Sequence, residues 1–565
     1  MDRTAQLIAR VTDHEIAYDP PPGAPSAPST ASAVSAASTA SAPSENPAPA
    51  APPAESLRVA AARVLAAGWT GASTVPSRNL YPHQWSWDSA FIAIGLRHLS
   101  PLRAQTELET LLAAQWADGR VPHIVFNPSV PLDAYFPSPD FWRSSSAGRA
   151  AGAPRTVQTS GIVQPPVHAL AAWLVHRADP GLSRARGFLA RLYPGLAAWH
   201  RYLLHRRDLG GGGLVSVVHP WEQGMDNSPC WDAPLARVTP APARSFRRAD
   251  LGHSAPEDRP TDLDYGRYVR LAADYRDAGY ADGGGEFAVE DPAFNALLIA
   301  SEQALARIAT ELGAPGTARH ARAERLTAAL VERLWDPESG MFLCRDLRAG
   351  DGNGGGGEQN GGGSGRENGG GSRGGTGGGS RGGTGGRGGR GGGGGRGGGG
   401  GREARPPGGV LIPERGVSGL VPLLLPGLPR GVAAALVRTL RGPRFGLGGR
   451  TGLVPSYDLL GEAFDPHRYW RGPAWFNTSW LVERGLRAHG EEAAADALRE
   501  AFLRTAGDSG FAEYVDPYTG EACGALGFGW TAALTLDLLH GRPEHSVSST
   551  DTSAFDRSDK GGDRG

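Results

Sequence analysis

Cysteine is scarce in this chain. There are three in 565 residues, Cys230, Cys344 and Cys523, far apart and without CxxC spacing. That count and spacing point to neither a disulfide framework nor a zinc site. No run of about 18 apolar residues occurs, so no membrane-spanning helix is expected. An excess of one charge sign is also missing. Lys and Arg total 57 against 58 for Asp and Glu, a net charge of -1. Neither a nucleic acid nor an anionic membrane is therefore expected as a partner. The first 19 residues lack the apolar core of a secretory signal, and the expectation is a soluble cytoplasmic protein. Nothing in the composition sets an oligomeric state.

Three further stretches lack apolar residues. After a short N-terminal segment (1–19) with the composition of one short helix, residues 20–54 are almost all Pro, Ala and Ser. They read as a disordered linker. Residues 350–409 are dominated by glycine, which loses more backbone entropy on ordering than any other residue. Their RGG-like steps lack the aromatic rings on which bases stack, so a disordered insert is expected over a nucleic-acid arm. Residues 543–565 read as a disordered polar tail. One large domain remains, 55–542, interrupted by the Gly-rich insert.

Within that domain helical periodicity recurs about a dozen times. PLRAQTELETLLAAQW opens with Pro101 in its first turn. Asp291 and Pro292 cap and start a helix whose apolar face runs Phe294, Leu297, Leu298, Leu305, Ile308 and Leu312. Period-2 alternation is scarce, so the expected fold is all-α, built of paired helices.

Acids and aromatic rings collect at the connections. HPWEQGMDNSPCWD (219–232) holds Trp221, Glu222, Asp226, Asn227, Trp231 and Asp232, broken by Pro220, Gly224 and Pro229. Tyr81, Trp85, Trp87 and Asp88 precede the helix pattern of Phe91 to Leu96, with Asp88 where an N-cap would fall. Gln164 stands at another helix mouth, and Tyr469, Trp470, Arg471, Trp475 and Asn477 crowd a third. Glu513 lies in an extended, aromatic-flanked segment. Flat rings covering apolar sugar faces, interleaved with acids for hydroxyls and leaving oxygen, suit a small carbohydrate ligand.

In order, QWSWDSAF, TSGIVQPPVHA, PWEQGMDNSPCWD, RYWRGPAWFNTSWL and FAEYVDPYTGEACGALGFGWTAAL resemble glycoside hydrolase family 63. The small bacterial mannosylglycerate and glucosylglycerate hydrolases are the nearest type, with weaker similarity to the trehalases of family 37. The resemblance implies an (α/α)6 barrel, a toroid of helical hairpins whose long loops form the active site. It also implies an inverting mechanism without metal or cofactor. It places the general acid on Asp226 and the general base on Glu513. Sugar-holding positions fall on Trp85, Trp87, Asp88 and Gln164, with Tyr81 and Trp221 beside them, and aromatic walls on Tyr469, Trp470 and Trp475. Arg259 and Tyr265 resemble positions that hold a charged aglycone. Phe528 departs, standing where glycerate-using members carry a polar amide. The departure bears on glycerate recognition and leaves the barrel motifs unchanged.

The reading is an inverting α-glycosidase for a small α-glucoside or α-mannoside. Inversion calls for two carboxyls about 6.5–9.5 Å apart. Asp226 must hold a proton, with Glu222 or Asp232 as candidate repelling neighbours and Trp221 and Met225 as desolvating ones. Arg471 is left between neutralising an acid and bracing a loop. A trehalase-like enzyme and a glycan-binding protein whose catalysis has lapsed are the alternatives; a phosphorylase would not need Glu513.

Overall fold

The structure is a computed structural model and describes residues 54–252, 256–349 and 408–541. The short N-terminal segment, the Pro/Ala/Ser linker through 53, the insert from 350 to 407 and the tail from 542 lie outside the described residues. Among those described, twelve helices have eleven residues or more. In chain order they are α1 (Ala54–Ala67), α2 (Ser86–Leu96), α3 (Pro101–Ala113), α4 (His168–Ala178), α5 (Phe188–Arg206), α6 (Asp262–Asp277), α7 (Pro292–Glu311), α8 (Thr317–Leu334), α9 (Arg430–Arg441), α10 (Phe476–Ala488), α11 (Glu492–Asp508) and α12 (Gly529–Leu539). No helix among the described residues is long and apolar enough to cross a membrane.

The helices sort into two layers by their apolar pattern. Every residue of α2 is buried, and α12 is buried except at its last residue. Helices apolar all round must be covered all round. Burying Phe91, Ile92, Ile94 and Leu96 contributes about 1.5–3 kcal/mol per side chain. By contrast, α8, α9 and α11 bury one face only. Contacts among the inner elements run in a closed circuit. Helix α2 packs on α4, α4 on α7, α7 on the 3-10 turns at 421–424, these on α10, α10 on α12, and α12 back on α2. VSGLVPLLLP thus holds an inner place with two short 3-10 turns, where two prolines discourage a helix.

Among the described residues, eleven two-residue strands punctuate the loops. Gln84–Trp85 pairs with Ile124–Val125 at the mouth of α2, and Tyr514–Val515 bridges Ala474–Trp475 and Ala522–Cys523 at the mouth of α10. Arg345–Asp346 pairs with Val410–Leu411, so the strands flanking the Gly-rich insert lie side by side. Asp88 is not the N-cap of α2. Trp85 holds that position, and Asp88 lies in the first turn, where the helix dipole favours an acid. Asp291 does cap α7, accepting from the Phe294 amide at 2.7 Å.

The circuit depends on close backbone approach. A Cβ on Gly95 of α2 would lie 2.2 Å from the carbonyl oxygen of Ala533 on α12, and one on Gly485 of α10 would lie 2.8 Å from the Leu423 carbonyl carbon. Gly95→Ala should therefore destabilise the protein despite alanine's better helix propensity. Forced overpacking costs about 1–3 kcal/mol, and a lowered melting temperature in thermal unfolding is the expected result.

Candidate active site

The mouths of α2, α4, α10 and α12 and the 219–232 loop face one cleft. Asp226, Glu513, Tyr81, Trp85, Trp87, Asp88, Gln164, Trp221, Arg259, Tyr265, Tyr469, Trp470 and Trp475 all line it. The sequence segments that carry them are far apart along the chain; the circuit of inner helices brings their ends together.

The 219–232 loop is a series of short turns, as its prolines and glycine require. A one-turn helix at Pro220–Gln223 ends on Gly224, and a 3-10 turn follows at Pro229–Trp231. Gly224 has φ +80°, and a Cβ there would meet the Trp87 ring at 2.6 Å. Asn227 is also left-handed at φ 77°; its amide donates to the Tyr268 hydroxyl at 3.1 Å. Arg471 braces this turn: it pairs with Asp232 and donates to Asn227 Oδ1 at 3.4 Å. Asp226 therefore sits between two fixed left-handed residues, with its partly exposed edge on the cleft.

Burial pushes the Asp226 carboxyl up to about 7. Its own backbone amide and Arg259 oppose the rise, while Glu513 and Asp250 add to it. The neighbours expected to repel it are occupied elsewhere. Glu222 is fully buried against Arg207, whose guanidinium donates to both its oxygens at 2.7 and 2.8 Å. Glu222 also accepts from the Val218 amide at 2.8 Å and the Val163 amide at 3.3 Å, tying the acid loop to the Gln164 segment. Asp232 is held by Arg471. Met225 is buried but does not line the cleft.

Glu513, 1% exposed, immediately precedes the strand Tyr514–Val515, whose Tyr514 pairs with Trp475. Its Oε1 accepts from the Tyr81 hydroxyl at 3.0 Å and its Oε2 from the Ala525 amide at 3.1 Å. Burial raises its pKa, opposed first by Arg259 and then by these donors and Tyr469. Asp88 is pushed well above the carboxylate range by burial, with Glu513 adding repulsion. Gln164 uses its carbonyl oxygen on the Trp87 amide at 3.1 Å. Arg259 lies over the Tyr469 ring, 4.6 Å from its centroid. Tyr265 donates its hydroxyl to the Phe136 carbonyl at 3.2 Å, so it faces the cleft as a ring with its polar end engaged. Trp470 and Trp475 stack at 3.8 Å and 5°, and Tyr514 continues the stack at 4.5 Å from Trp475. Among the described residues no group of three His, Cys, Asp or Glu side chains is arranged to hold a metal ion.

Sequence reasoning missed Tyr135, Asp250, His123 and Trp530, which also line the cleft, and named Phe528 only as a departure. Trp530 was within reach: GFGWTAAL opens an inner helix with rings just as QWSWDSAF does. Tyr135 and Asp250 lie in irregular Pro- and Arg-rich loops that carry no periodic signal. Asp250 is held there by Arg248, which donates at 2.9 and 2.8 Å and lies over Tyr265 at 4.5 Å.

A largely helical scaffold with a ring-walled, carboxylate-bearing cleft at its helix mouths suits a glycoside hydrolase, and comparison with known proteins says which. Residues 81–531 match the mannosylglycerate hydrolase MGH1-like glycoside hydrolase domain, and the chain belongs to that family. It is 38% identical over 492 residues to the mannosylglycerate hydrolase of Rubrobacter radiotolerans, covering 86% of this chain and 97% of that one. It is 36% identical over 503 residues to the glucosylglycerate hydrolase of Mycolicibacterium hassiacum, again covering 86% and 97%. Among solved structures, the family 63 mannosylglycerate hydrolase of Thermus thermophilus, in complex with Tris and D-glycerate, superposes with a TM-score of 0.68. That match has 35% identity and covers 85% of this chain and 99% of that one.

Gly524 (φ +68°) permits the approach of the loop to Glu513; a Cβ there would lie 2.6 Å from Glu513 Oε2. Gly524→Ala should displace that carboxylate. Turnover is expected to fall about 100-fold, the scale of a 1 Å misplacement, as measured by steady-state kinetics.

Proposed function

We propose that this protein is an inverting α-glycosidase on an (α/α)6 toroid that hydrolyses a small α-mannoside or α-glucoside of the mannosylglycerate and glucosylglycerate kind. For the toroid, the support is the closed circuit of five inner helices and the 3-10 segment, with α1, α3, α5, α8, α9 and α11 as the outer layer. Helix α6 packs instead on the short helices at 139–142 and 144–147. We keep the cytoplasm as its compartment.

One observation carries the chemistry: two carboxyls share the cleft in different settings. Asp226 is raised to about 7, so at neutral pH much of it is protonated and able to donate to the leaving oxygen. Glu513 is raised by burial too, but two hydrogen-bond donors and Arg259 favour its ionised form, which suits deprotonation of the attacking water. At the end of a turnover Asp226 has lost a proton and Glu513 has gained one. Trp85, Trp87, Trp221 and the Trp470–Trp475 stack would cover the apolar sugar faces, with Asp88 and the amide nitrogen of Gln164 on its hydroxyls. Arg259 is the guanidinium available to an anionic aglycone. Tyr265 and Phe528 offer it only rings, so a glycerate carboxylate would rest on Arg259.

A panel of α-glycosides that includes mannosylglycerate, glucosylglycerate and trehalose tests the substrate. NMR of the first-formed sugar tests the stereochemistry, with the β-anomer expected and the α-anomer ruling inversion out. Asp226→Asn should lose most turnover on these glycosides and less on a glycosyl fluoride, whose departure needs little protonation. Glu513→Gln should be crippled on both, each deficit being about 10²–10⁴-fold. Because the acid acts only while protonated, kcat/KM for the glycosides should fall as pH rises through about 7, the value to which Asp226 is raised. A pH–rate profile reads that limb directly.

A further inference from the structure

Tyr81 was expected to hold sugar, yet its hydroxyl is engaged by protein on every polar side. Its oxygen lies 3.4 and 3.5 Å from the two terminal nitrogens of Arg259, 3.3 Å from the Tyr469 hydroxyl and 3.0 Å from Glu513 Oε1. A guanidinium can only donate and a carboxylate can only accept. The Tyr81 oxygen therefore receives from Arg259, and its single proton goes to Glu513. Packing fixes the ring that carries this hydroxyl. Trp85 and Phe528 meet it edge-on at 5.3 and 5.8 Å, and the Tyr81 amide donates to the Ser77 carbonyl at 2.9 Å.

We infer that Tyr81 is a positioning residue for the base. It transmits the positive charge of Arg259 to Glu513 through one hydrogen bond, orients the carboxylate for water and keeps it ionised inside a buried cleft. This rests on the assignment of Glu513 as base. The charged and titratable groups facing Glu513 are the cation Arg259, the carboxyls Asp88 and Asp226, and the phenols Tyr81, Tyr469, Tyr514 and Tyr135. Tyr81 contacts both Arg259 and Glu513 within 3.5 Å, while Tyr469 meets Arg259 with its ring face and also hydrogen-bonds Glu513. Tyr81→Phe removes a donor that favours the carboxylate, so the proton binds Glu513 more readily and the acid limb moves to higher pH.

The probes are α-D-glucosyl and α-D-mannosyl fluoride, whose departure does not lean on Asp226. With Tyr81→Phe, the acid limb of kcat/KM should rise by about one pH unit, and kcat should fall with KM unchanged. Tyr81 replaced by 3-fluorotyrosine keeps the ring and strengthens the donor, so the limb should move the opposite way; this variant decides the matter if the phenylalanine one does not fold. A raised KM with an unmoved limb in Tyr81→Phe, or an unmoved limb with fluorotyrosine, overturns the inference and leaves Tyr81 a sugar contact. Glu513→Gln on the same fluorides separates the two levels. If it is inactive while the limb stays put, only the relay fails; if it keeps turnover, the base assignment falls and the relay with it.

Discussion

Four carboxyls, those of Asp88, Asp226, Asp250 and Glu513, line one cleft with a single guanidinium, that of Arg259. Burying a carboxylate without compensation is costly, and close carboxylates raise one another's pKa. The cleft resolves this unequally. Glu513 receives hydrogen bonds from Tyr81 and the amide of Ala525, and Asp250 is gripped by Arg248, whereas burial pushes the Asp226 carboxyl up to about 7 against its own backbone amide and Arg259. On the proposed roles, the division between a proton donor and a proton acceptor follows from where these partners are placed.

Such an arrangement needs a stiff support. The inner helices supply it, α2 and α12 being covered almost all round, and two-residue strands fix the entries of α2, α7 and α10 in register. Around α2 the anchoring is polar as well. Glu107 accepts from the Thr74 amide at 2.7 Å, from Ser89 at 2.6 Å and from Gln84 at 3.1 Å, which ties the strand carrying Trp85 to the helix carrying Asp88. The cleft is thus held by hydrogen bonds that never touch its ligand.

The helices were legible because apolar spacing is a local signal. So was the collection of rings and acids at their ends, and Trp85, Trp87, Asp88, Gln164, Asp226 and Glu513, all within the five motifs, line one cleft. Electrostatic partners were harder to read. Glu222 stands four residues before Asp226, yet its charge belongs to Arg207, a residue on the far side of a turn whose pairing no spacing rule exposes. Asp88 resembled a cap because it follows two tryptophans, whereas the strand pairing of Trp85 starts the helix three residues earlier. Asp250 and Tyr135 come from loops shaped by tertiary contacts, and only the fold brings them in.

The packing of α12 on α2 joins the two ends of the described chain. A nascent chain leaving the ribosome exposes α2 early and must wait for α12 before the circuit can shut. Until then the apolar flank of α2 has no partner on that side, the kind of surface that chaperones shield. Phe528 and Trp530 sit at the start of that last helix, so the cleft wall is completed in the same step that closes the scaffold. For this enzyme, gaining catalytic competence and finishing the fold are one event in time.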